Sequence, residues 1–117
     1  MPSRLDTDAH LPLKPLVFQI LLALAEGDRH GWSLVRDVQQ RGGFARIMPG
    51  NFYRTLRGML TDGLIEESPR AAKTADEERR RYFTITPLGE AVARAEARRL
   101  ELLVSEARSK RLLTKRG

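Results

Sequence analysis

The chain has 117 residues, 41% hydrophobic and 31% charged, a balance that suits one domain around one core. It has no cysteine, which excludes disulfides and thiolate chemistry. A formal net charge of +6 favours an anionic partner such as nucleic acid, but it sets association and not fold.

Residues 1–12 are mostly polar and read as a flexible leader without the apolar centre of a signal peptide. The longest apolar run, 20–25, is far shorter than a membrane span. The expectation is a soluble, cytoplasmic protein with no membrane partner. A first helix is expected over 13–26, with Pro15 tolerated in its first turn and Gly27 as its C′ residue. Leu16, Val17, Phe18, Ile20, Leu21, Leu22 and Leu24 cover nearly every direction of this helix. A helix apolar all round needs cover on several sides. A chain of this size supplies little, so a second subunit is implied, with Leu16 and Ile20 placed at its interface.

A second helix is expected over 29–41, with Asp28 as N-cap and Gly31, Leu34, Val35 and Val38 as an inward stripe. Gly42 and Gly43 end it, and 44–48 is a loop. Trp32 reads as a packing residue against the hairpin or the first helix rather than a ligand platform. The segment 49–65 is the most informative. It opens with Pro49 at a first helical position, carries apolar residues at Phe52, Leu56, Met59 and Leu60, and stops at Gly63 with Leu64 following, a Schellman ending. The opposite face holds Asn51, Arg54, Thr55, Gly58 and Thr61, with Arg57 at its edge. One greasy stripe backed by short polar and arginine side chains suits a helix that enters a DNA major groove from a small core.

Short strands are expected over 64–68 and 81–85, joined by a long polar loop as a hairpin wing. In the second strand Phe83 and Ile85 face one way and Tyr82 and Thr84 the other. Thr86 followed by Pro87 marks a helix start. That last helix, expected over 87–113, would be roughly 40 Å long, too long for the small domain to cover. Its stripe of Ala93, Ala97, Leu100, Val104 and Ala107, widened by Leu102 and Leu103, suits pairing with another helix. Between 94 and 117 lie eight basic and three acidic residues, so much of the excess charge sits in this helix and tail. A solvated helix end and a phosphate contact are both open for it.

On chemistry alone, Asn51, Arg54, Thr55 and Arg57 are candidates for base edges or nearby phosphates, since Arg suits guanine and Asn suits adenine. A solvated helix face would use the same residues. Arg70 and Lys73 near the wing tip are the better phosphate candidates. Arg79 and Arg80, with Arg81, follow Asp76, Glu77 and Glu78, which could pair with them. His10 and His30 have no metal-ligand spacing. There is no nucleophile–base motif, phosphate loop or carboxylate pair, so no enzyme activity, metal or cofactor is expected.

The order of elements, and four motifs in it, resemble the PadR-like transcriptional regulators. His30-Gly31-Trp32 stands where that family usually has His-Gly-Tyr. Pro49-Gly50-Asn51-Phe52-Tyr53-Arg54-Thr55-Leu56 is similar to its Pro-Gly-Thr-Leu-Tyr-x-x-Leu segment. Asp62-Gly63-Leu64-Ile65 is similar to its Gly-Leu-Ile exit, and Arg81-Tyr82-Phe83-Thr84-Ile85-Thr86 with Gly89 to its Tyr-Tyr-x-Leu-Thr-x-x-Gly. The resemblance implies that Tyr53, which borders the apolar stripe, reaches the DNA backbone with its hydroxyl while its ring stays near the core. It departs at Met48, where the family often has a capping Ser worth about 1 kcal/mol. It departs again in the last helix, which lacks the Trp of the drug-responsive short members.

The expected fold is mainly α (α+β): a winged helix-turn-helix with a β-hairpin wing and a long C-terminal dimerisation helix. The expected divisions are a leader at 1–12, the DNA-binding domain at 13–86 and the dimerisation helix with its basic tail at 87–117. The resemblance implies a sequence-specific DNA-binding transcriptional regulator, a repressor acting as a homodimer on an inverted-repeat operator. Its partners would be double-stranded DNA and a second copy, through Leu16, Ile20, Ala97, Leu100, Leu103, Val104 and Ala107. A small-molecule effector is left open. The alternative is a winged-helix protein-interaction module that has lost DNA binding, although Arg54 and Arg57 stay on the exposed face.

Overall fold

Several helix ends in this chain are closed by a side chain or by glycine: Ser3 and Asp6, His30 and Thr86 at starts, Gly63 at an end. The computed structural model describes residues 3–41, 49–68 and 81–114. In chain order these form α1 (Arg4–Asp8), α2 (Pro15–Ala25), β1 (Arg29–His30), α3 (Gly31–Arg41), α4 (Pro49–Thr61), β2 (Ile65–Glu67), β3 (Tyr82–Ile85) and α5 (Pro87–Ser109). The strands form an antiparallel sheet in the order β1-β3-β2. Ile65 pairs with Ile85 and Glu67 with Phe83, while Arg29 faces Phe83 on the other edge.

The core is a single cluster. Ile20, Leu21, Ala23 and Leu24 of α2 meet Leu34 and Val38 of α3, Phe52, Leu56 and Met59 of α4, Leu64, Ile65 and Phe83 of the sheet, and Val92 of α5. α2 is therefore covered by α3, α4, α5 and β3 of its own chain. This corrects the expectation that a second subunit must bury it. Ile20 is fully buried within the protomer, so it is a core residue and leaves the interface set. Leu16 is half-buried against the core, and Leu22 is the large residue of α2 that stays exposed.

Residues 3–12 are not a loose leader. The Ser3 hydroxyl accepts from the Asp6 N–H and the Asp6 carboxylate accepts from the Ser3 N–H, both at 3.1 Å, a reciprocal cap for α1. This short helix packs along α5, and Leu11 and Leu13 rest on the core. A further correction concerns the start of α3. Arg29 and His30 are a strand, not helix, and the cap is His30, whose Nδ1 accepts from the Ser33 N–H at 3.2 Å. Asp28, the expected cap, instead accepts from the Ser68 hydroxyl at 2.6 Å and holds the end of the hairpin.

The expected ending of α4 is present. The Gly63 N–H donates to Leu60 and the Leu64 N–H to Met59, with Gly63 at φ +78°. Thr86 caps α5 by accepting from the Gly89 N–H at 3.0 Å, and its own proton points to the Gly63 carbonyl at 2.6 Å. The end of α4, the sheet and α5 are thus joined at one hydroxyl. Gly89 is demanded by that joint, because a Cβ there would overlap the Leu64 carbonyl oxygen.

α5 has 23 residues and ends at Ser109, short of the expected 113. Arg111 takes φ +63° in a second Schellman-type ending, in which the Leu112 N–H donates to Ala107. The first half of α5 packs on the domain through Gly89, Val92 and Glu96. The second half leaves Leu102, Leu103 and Val104 exposed. Among the described residues no helix is long and apolar enough to cross a membrane.

Candidate nucleic-acid interface

α4 buries Phe52, Leu56 and Met59 almost completely and keeps Asn51, Arg54, Arg57 and Gly58 on the outside. Pinning the helix along one stripe fixes the direction of the other, so the exposed side chains project as a set. Arg54 and Arg57 have no carboxylate partner among the described residues. Elsewhere in the domain Glu26 pairs with Arg41 at 2.7 Å and with Arg29 at 3.2 Å, and Asp37 pairs with Arg29 at 3.1 Å. Hydrogen bonds from Arg41, then its charge, hold the Glu26 carboxyl below the usual carboxylate range. This cluster ties the end of α2 to α3.

Thr55 is half-buried and its hydroxyl donates to the Asn51 carbonyl at 2.9 Å. Its proton is spent on the helix, so it offers a nucleic acid only its methyl group and oxygen lone pairs. Tyr53 is about half exposed, its ring edge-on to Phe52 at 5.7 Å and laid over Gly31. Gly58 has nothing within 4 Å of where a Cβ would stand. Arg70, Lys73, Arg79 and Arg80 lie outside the described residues, as does Met48. The base of the wing is described: Arg81 is exposed and reaches Glu67 at 3.4 Å.

Trp32 corrects the sequence expectation. It is 68% exposed rather than packed away, and its ring carries the Arg36 guanidinium at 5.6 Å. His30 sits edge-on to Tyr82 at 5.6 Å, which leaves it a structural role between β1 and β3. No group of three or more His, Asp or Glu side chains that could hold a metal is found among the described residues.

Glu96 is the polar residue that sequence reasoning missed. It is 2% exposed, grips Arg99 at 2.6 and 2.9 Å, and accepts from the Leu13 N–H. Arg99's hydrogen bonds hold its carboxyl below the usual range against the opposing effect of burial. The signal was present as an inward spacing of Gly89, Val92 and Glu96 with Arg99 three residues on. Of the expected interface residues, Ala97, Leu103 and Val104 are exposed, while Leu16, Leu100 and Ala107 are partly covered.

Residues 20–95 match the family model of the transcriptional regulator PadR-like family. A transcriptional regulator of Mycobacterium tuberculosis, Rv3488, is 33% identical over 87 residues, spanning 74% of this chain and 77% of that protein. Among solved structures, a PadR family transcription regulator of Clostridium difficile superposes with a TM-score of 0.71 at 18% identity, over 82% of this chain and 97% of that one. A PadR-like regulator of Bacillus cereus gives 0.67 at 22% identity, over 86% and 93%. At such identities the structural matches speak for the fold.

Proposed function

This chain belongs to the PadR-like family of transcriptional regulators, and we propose that it represses transcription as a homodimer on an inverted-repeat operator. It is a DNA-binding regulator and not an enzyme. In this reading α4 enters the major groove, where Asn51, Arg54 and Arg57 meet base edges and neighbouring phosphates and Tyr53 meets the backbone. Arg70, Lys73, Arg79 and Arg80 of the wing grip the flanking strand. Residues 13–86 form the DNA-binding domain, and the projecting half of α5 pairs with its counterpart through Ala97, Leu100, Leu103, Val104 and Ala107, with Leu16 at the margin. The pairing holds two copies of α4 about 34 Å apart, one turn of DNA. The protein works in the cytoplasm, where its DNA is. A small molecule that changed the angle between the long helices would change that spacing and release the operator.

The observation that carries this reading is a helix sealed on one side by Phe52, Leu56 and Met59 and bearing two uncommitted arginines on the other. Selection of tight binders from a randomised duplex pool tests it. An inverted repeat should emerge, and Arg54→Ala should weaken it by about 1–3 kcal/mol while relaxing preference at one or two positions. A pool that yields no preferred sequence would refute the reading.

A further inference from the structure

Beside the exposed stripe of α4 lies an open groove of about 910 Å³, lined by His30, Trp32, Arg36, Tyr53, Arg57 and Arg81 together with Gly31 and core-edge side chains. Among the described residues no carboxylate lines it. Its arginines come from three elements or their edges: Arg36 from α3, Arg57 from α4 and Arg81 from the foot of β3. Arg36 and Arg57 have no ion pair among the described residues, and Arg81 has only the exposed contact with Glu67. The one tryptophan of the chain stands at the rim.

We propose that this groove seats the sugar–phosphate backbone of the DNA strand flanking the major groove that α4 enters, with Trp32 and Arg36 as contacts in their own right. The inference rests on the DNA-binding reading and adds a second surface to it. Three guanidinium groups around a space that no described carboxylate lines complement a run of phosphates. The groove shares Tyr53 and Arg57 with α4 but not Asn51, Arg54 or Gly58, so it flanks the base-reading stripe and does not repeat it. An indole left in water at such a rim offers a flat apolar face to a deoxyribose and an N–H to a phosphate. One face of the ring holds Arg36, which places the guanidinium before DNA arrives, and the other is the face a sugar would meet. Contacts of this kind position the protein and carry no base preference.

Trp32 is its own reporter. With the duplex selected above at saturation, quenching of its fluorescence by neutral acrylamide should fall clearly. Trp32→Ala should weaken selected and unrelated duplexes by the same several-fold factor and leave the salt dependence unchanged, since indole carries no charge. Arg36→Ala should lower the slope of log affinity against log salt by about 0.9, one phosphate. Both side chains are exposed, so neither variant should change the circular dichroism or the melting temperature. A duplex bound at full affinity with Trp32 still open to acrylamide, or an Arg36→Ala protein with the wild-type slope, would overturn the proposal and leave the base-reading role of α4 intact. Failure of any duplex to be selected would remove the DNA reading itself.

Discussion

Gly58 separates a surface helix from one that meets DNA at close range. It lies inside α4, on the same stripe as Asn51 and Arg54, and nothing stands within 4 Å of a Cβ built on it. A mid-helix glycine costs about 1 kcal/mol relative to alanine. Gly58→Ala should therefore stabilise the free protein by about 1 kcal/mol, which for a chain of this size raises the melting temperature by about 4 °C. If a DNA strand passes over this position, the added methyl group lies where the duplex must come. Operator affinity should then drop on the order of tenfold, about 1.4 kcal/mol. Stability is read by thermal unfolding and affinity by fluorescence anisotropy on the selected duplex. Gly50→Ala is the control, since that position also has open space but lies in the first helical turn. A Gly58→Ala protein that is more stable and binds at full strength would refute the claim that this stripe faces the duplex closely.

Gly89→Ala should destabilise the fold by about 2–3 kcal/mol, because its Cβ meets the Leu64 carbonyl oxygen, which accepts from the Thr86 N–H at 3.1 Å; denaturant unfolding measures it. Glu96 has a folded pKa below its unfolded value near 4.5, so its contribution is full above that pH and is lost as pH falls through the lower folded value. Glu96→Gln should cost about 1–2 kcal/mol at neutral pH, moderated by the partial exposure of Arg99, and should flatten the stability profile below pH 4.5. Leu100→Asp combined with Val104→Asp should give monomers with little operator affinity, as seen by sedimentation; a tight operator-binding dimer would displace the proposed interface.

The features legible in the sequence were those written by local rules. Gly63 with Leu64, and Thr86 with Pro87, each state a helix end within a few residues, and both ends are where the pattern put them. The inward stripe of α4 follows from helical period and needs no tertiary information. β1 was illegible because it is two residues long and exists through pairing with β3, more than fifty positions away. Two residues carry no alternation to read, and its presence moved the start of α3 to Gly31 and made His30 its cap. The ordering of residues 3–12 comes from docking on α5, although the Ser3-x-x-Asp6 cap was there to be noticed. The all-round apolarity of α2 was read correctly as a need for cover; what the sequence could not say was that four elements of the same chain provide it.

Net charge by segment was a poor guide to the candidate interface, and the structure gives the reason. The last helix and tail carry the larger excess of positive charge, yet within α5 Arg94 lies 3.7 Å from Glu90, Arg99 2.6 Å from Glu96, and Lys110 at its cap 3.3 Å from Glu106. Each pair has the three- or four-residue spacing that brings side chains together on a helix surface. α4 contains no Asp or Glu from Pro49 to Thr61, so Arg54 and Arg57 have no partner of that kind within their own helix. An arginine already held by a carboxylate must give up that contact before it can meet a phosphate, whereas an uncommitted one loses only water. The informative quantity is therefore the count of basic residues without an acid at helical spacing. By that measure α4, with Arg54 and Arg57, stands above α5, where within 87–109 Arg108 alone lacks such an acid.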